Sequence, residues 1–110
     1  MTNDTFSLDM SRSNAKEVYQ SIMSDIQRTE KSLSKGHTLC VNIMDMPGLE
    51  IITIGRIGDH LLFFEGYLNE TNKIRVLTHY SRAVVVLIVQ KDADVPAYRP
   101  KGQIQFAVEQ

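Results

Sequence analysis

Residues 14–43 read NAKEVYQSIMSDIQRTEKSLSKGHTLCVNI, and the apolar period changes partway along this stretch. Up to Leu33, the residues Ala15, Val18, Tyr19, Ile22, Met23 and Ile26 recur at steps of three and four, as one face of a helix requires. Lys16, Gln20, Ser24, Gln27 and Lys31 fall on the other face. Asn14 is placed to cap the start, with Glu17 three residues on to reach back to the cap amide. Lys35 suits the negative end of the helix dipole, and Gly36 suits a left-handed cap. A single apolar stripe buries a single face, so the helix is expected to lie on a sheet or on a neighbouring subunit. Beyond Gly36 the period becomes two: Leu39, Val41 and Ile43 share one face of a strand.

Further strands follow, separated by turns. Asp45-Met46-Pro47-Gly48 has turn chemistry and leads into an Ile-rich strand, Leu49 to Ile57. Gly58-Asp59 suits a two-residue hairpin, Leu61 to Tyr67 a third strand, and residues 73–79 a fourth. The next run, Ala83-Val84-Val85-Val86-Leu87-Ile88-Val89, is apolar at every position. A strand apolar on both faces is expected to be covered on both, here by the barrel interior and by the helix or a second subunit. Lys91 to Gly102 reads as a loop with Pro96 and Pro100, and Gln103 to Val108 as a last strand with Ile104 and Phe106 on one face. The expected fold is α+β: an N-terminal helix followed by a strongly bent antiparallel sheet of five to six strands. Residues 1–12 read as a flexible arm and 13–110 as a single domain.

Composition narrows the function. The 110 residues carry 12 Lys+Arg against 13 Asp+Glu, a net charge of -1. Binding to double-stranded DNA, which requires many phosphates to be neutralised, is not expected. No apolar run approaches the roughly 20 residues of a membrane span, and the N-terminus lacks the charged and apolar regions of a secretory signal. A lone cysteine, Cys40, fits a reducing cytoplasm and reads as a small buried hydrophobe.

Common catalytic signatures are absent: there is no phosphate-binding glycine loop, nucleophile elbow or HExxH. His37, His60 and His79 show no metal-ligand spacing, and Asp92 and Asp94 read as a solvated turn. No cofactor and no enzyme activity are expected. The informative cluster is His79-Tyr80-Ser81-Arg82, where one strand ends and the next begins. Imidazole and phenol can stack on a base, the hydroxyl can bond its edge, and the guanidinium can fork a phosphate. Arg56, Arg75 and His60 complete the candidate ligand-binding set. Read blandly, the same residues are a bend in which Ser81 caps, Tyr80 packs and Arg82 is solvated.

The order of these elements resembles the Sm-like fold of bacterial Hfq over about residues 14 to 90. Gly48, the Ile-rich strand, Asp59 and Leu61-Leu62-Phe63-Phe64 are similar to the first Sm motif. His79, followed five residues later by Val84-Val85, is similar to the lysine–histidine strand junction of Hfq, with Thr78 standing in place of the lysine. The helix, the Ile-Gly and Leu-Leu-Phe-Phe patterns and Leu77-Thr78-His79-Tyr80-Ser81 also resemble a family of small, uncharacterised bacterial and phage domains. The Sm resemblance implies a ring of identical copies joined by strand edges. The expected function is a non-catalytic homo-oligomer that captures a small nucleotide, in the manner of phage proteins that sequester a host immune signal. The alternatives are an Hfq-like binder of single-stranded RNA, a structural or partner-binding module, and a nucleotide-cleaving enzyme with His79 as base.

Overall fold

The computed structural model describes residues 14–97 and 103–110; the expected arm and residues 98–102 lie outside it. Helix α1 (Ala15–Lys31) is followed by β1 (His37–Ile43), β2 (Glu50–Ile57), β3 (Leu61–Leu68), β4 (Asn72–His79), β5 (Val85–Lys91) and β6 (Gln105–Glu109), with short 3-10 turns at Tyr80–Arg82 and Asp92–Asp94. The expected α+β class is therefore observed, with one helix ahead of six mostly antiparallel strands. No helix among the described residues is long and apolar enough to cross a membrane.

Local chemistry accounts for the boundaries. The Asn14 side chain accepts from Glu17 N at 3.0 Å and starts α1. At the other end Ser32, not Gly36, is the cap residue, and its amide bonds to Glu30 and Thr29 carbonyls. Gly36 has a left-handed φ of 83° but uses it in the turn into β1.

Pairing departs from one continuous antiparallel sheet in two respects. β1 pairs only with β5, and the other four strands form a second sheet in the order β4-β3-β2-β6. β6 runs parallel to β2, with Thr53 opposite Gln105 and Ile57 opposite Glu109. An alternating pattern fixes which face of a strand is buried and carries no information on the direction of its neighbour, so the parallel pairing is new information.

The core lies between the helix and the inner faces of both sheets. Ile26, Leu49, Ile51, Ile54, Leu62 and Phe64 are fully buried there, with Leu39, Val41 and Ile43 of β1. Each such side chain contributes about 1.5–3 kcal/mol of transfer free energy. Tyr19 meets Phe106 edge to face at 6.1 Å and so ties the helix to β6. At Gly66 a side chain is impossible: a Cβ there would lie 2.0 Å from the Glu50 carbonyl oxygen, beside the register shift between Ile51 and Thr53.

The run at 83–89 is half-covered. Val85 and Leu87 pack on the core, whereas Val84, Val86, Ile88 and Val89 are exposed. The expected cover on both faces is not supplied by the described residues of one chain, because β5 has only β1 beside it and the core on one side.

Candidate functional site

The β3–β4 hairpin builds the site. Leu61 is opposite His79, so His60 and Tyr80 face each other just past the ladder, joined by a Tyr80 N–H donating to the His60 carbonyl at 3.0 Å. This pairing places the His60 and His79 imidazoles nearly parallel, at 10°, with centroids 6.1 Å apart. Tyr80 lies 4.4 Å from His79, tilted by 34°. Three rings, from the turn before β3, the end of β4 and the 3-10 turn after it, are thus brought together at one end of the sheet.

The orientation of His79 is fixed by the turn that follows. Its Nδ1 accepts from Ser81 N at 3.2 Å and lies 2.8 Å from Ser81 Oγ. An accepting Nδ1 carries no proton, so in the neutral ring the proton is on Nε2, which is left as a donor. His79 is therefore both cap of the Tyr80–Arg82 turn and part of the ring group. The bland expectation gave the capping role to Ser81; the imidazole takes it instead. Tyr80 is half-buried and packs against the core, while His60, His79, Ser81 and Arg82 are exposed. Among the described residues, no carboxylate pairs with Arg82.

The other two arginines are held elsewhere. Arg75 pairs with Glu65 at 2.8 Å and with Glu109, and its guanidinium lies 4.1 Å from the Phe63 ring centroid. Its neighbours' carboxylates, Glu109 foremost, hold its pKa above the ordinary range. Arg75 is thus a tie between β3, β4 and the C-terminal strand, and its charge is already matched. Arg56 donates from Nη1 to the Gly58 carbonyl at 2.8 Å, and its buried Nε has no partner among the described residues. Neither arginine is brought by a hydrogen bond to the ring group.

The remaining candidates are structural. Cys40 is buried and donates to Gln90 Oε1 at 3.0 Å. Asp92 accepts from Thr38 Oγ1, which pins the turn after β5 to β1. Among the described residues no three His, Cys, Asp or Glu side chains are grouped to hold a metal. A scan against protein-family models, a search of curated proteins and a search of solved structures each return no match.

Proposed function

We propose that this chain is a non-catalytic, self-assembling binding protein that captures a small nucleotide through His60, His79, Tyr80, Ser81 and Arg82. The observation that carries the reading is the pair of parallel imidazoles 6.1 Å apart. A base occupies about 3.4 Å along a stack. Two such layers come to about 6.8 Å, comparable with the 6.1 Å between ring centroids, and in the proposed binding mode the exposed pair opens to take a flat heterocycle between the rings. The Nε2 proton of His79 and the Ser81 hydroxyl supply edge contacts, and Arg82 supplies a fork for phosphate. One guanidinium suffices for one or two phosphates, and the net charge of -1 is no obstacle to so small an anion. The same neutrality disfavours long RNA, whose affinity grows with each phosphate neutralised.

The finer architecture proposed is an Sm-like barrel assembled into a closed ring, and the biological role is sequestration of a nucleotide signal in the cytoplasm. The exposed apolar positions of β5 support self-assembly, since an uncovered apolar edge strand invites pairing with another chain.

The test begins with purified protein, heat-denatured, its supernatant examined by absorbance and mass spectrometry. Mononucleotides, cyclic nucleotides and short RNA are then titrated. A nucleotide recovered unaltered after binding is the expected result. A chemically altered nucleotide means catalysis, and steeply salt-dependent affinity for RNA alone means an RNA binder; either overturns the proposal, as does binding of none of these probes.

A further inference from the structure

The apolar stripe of α1 is incompletely covered. Val18 and Ile22 pack on the core but are only half-buried. With the fully buried Ile26 and with Ala83, Val85 and Leu87, they line an apolar groove of about 230 Å³ between helix and strand. Asp25 stands exposed along the same groove, and its carboxylate is paired with Arg28 at 3.1 Å. The charge beside the groove is thus already answered, and the rest of the lining suits an apolar occupant that brings no charge into it.

The sequence that leads into α1 has that character. Within residues 1–13, which precede the described structure, Phe6, Leu8 and Met10 alternate with Ser7 and Asp9. An extended segment sets residues i, i+2 and i+4 on one side, so in that form the three apolar residues share a face and the two polar ones the other. Five such residues, 6 to 10, span about 13 Å. Along the groove, the eight-residue step from Val18 to Ile26 rises about 12 Å. Three apolar positions on the segment therefore match three on the helix, one for one. The connection is long enough as well. Met10 and Asn14 are four residues apart, about 13 Å at full stretch, against about 6 Å from Asn14 along the helix axis to Val18. Asn14 enters the helix with extended backbone, φ -141° and ψ 178°, so the reversal falls to Ser11-Arg12-Ser13, and serine favours turns.

We propose that the groove is occupied by residues 6–10 of the same chain, laid antiparallel to α1 with Met10 beside Val18, Leu8 beside Ile22 and Phe6 beside Ile26. Ser7 and Asp9 then face water. The direction follows from connectivity, because a segment that joins the helix at Asn14 lies along it only by doubling back. A tether of three residues holds the segment at an effective concentration on the order of mM, which favours it over the same segment of a separate copy. The contact uses the core-side side chains Val85 and Leu87 and leaves the main-chain edge of β5 open. It is therefore independent of the assembly and of the binding role proposed above.

Fluorescence and cross-linking test the docking. The chain has no tryptophan, so Phe6→Trp introduces a single indole. Its emission is expected to be blue-shifted and shielded from acrylamide in the native protein, and to move to longer wavelength in denaturant. Leu8→Asp added to that variant should bring the native emission to the denatured value with unchanged far-ultraviolet dichroism, since it alters no residue of the described helix and strands. In a second experiment, Leu8→Cys combined with Ile22→Cys should form a disulfide within one chain under mild oxidation, seen as a faster single-chain band on a non-reducing gel. Leu8→Cys combined with Gln20→Cys, at an exposed position on the other face of α1, should not link. An indole at the denatured wavelength in the native protein, an emission that Leu8→Asp leaves blue-shifted, or equal linkage to position 20 overturns the docking. Linkage of positions 8 and 22 between two chains in place of one overturns the assignment to the same chain.

Discussion

Replacing His60 with alanine separates recognition from folding. His60 is exposed, and the bond it contributes to the hairpin runs through its carbonyl, which the substitution keeps. Among the described residues the imidazole makes no hydrogen bond or ion pair, and its ring contact is the stack with His79. The stability change is therefore expected within about ±0.5 kcal/mol. Binding should suffer more. A base lying between the two rings has both faces covered, and removal of one wall forfeits one stacking contact. Base–aromatic stacking is worth about 1–3 kcal/mol, which is about a 5- to 150-fold rise in Kd. Calorimetric titration with AMP and GMP measures that rise, with a thermal melt alongside. Ribose 5-phosphate provides the internal control: it has no base, so its affinity should be indifferent to His60. Unchanged mononucleotide affinity in a normally folded variant would refute the slot between the rings. An equal loss for ribose 5-phosphate would refute stacking as the cause.

Three further outcomes follow from the same geometry. At His79, alanine should weaken mononucleotide binding and also lower stability by about 0.5–2 kcal/mol through the lost cap, whereas asparagine, which can still accept from Ser81 N, should restore most of the stability in denaturant titrations without restoring affinity. Gly66→Ala forces a Cβ to 2.0 Å from the Glu50 carbonyl oxygen, a main-chain atom that cannot step aside, so the β2–β3 ladder must part and soluble yield or melting temperature should fall sharply; an unaffected melt would contradict the close approach. Burial holds the Tyr19 phenol above its ordinary pKa, partly opposed by Arg56, so its stabilising contribution is complete below about pH 10 and is lost as pH rises through the folded value; Tyr19→Phe should blunt that alkaline loss, measured as denaturant midpoints at about pH 8 and about pH 11.

Much of the fold could be read in the chain because burial imposes a period. Val18, Ile22 and Ile26 announce the helix, and Leu39, Val41 and Ile43 announce the first strand; each set is buried or half-buried on its inner face. Strand direction escapes such a reading. Ile104 and Phe106 alternate identically beside a parallel or an antiparallel neighbour, and only the structure shows which β6 has. The grouping of the candidate residues was legible for a related reason. His79 to Arg82 are contiguous, and His60 follows from the hairpin, because a turn at 69–71 sets residue 61 against 79. The pairing of Arg75 was not legible, because its partners, Glu65 and Glu109, lie in different strands and are remote in sequence. A charge that looks available in a string of letters can be fully answered by carboxylates that only folding brings near.

The tie between Glu109 and the hairpin has a practical bearing. Gly58 N donates to the Glu109 carbonyl, so Gln110 leaves the sheet beside the turn that carries His60. A dye attached at that residue is anchored next to the imidazole pair and should report its filling by a change in emission. A bulky purification handle at the same point should weaken binding at the proposed site.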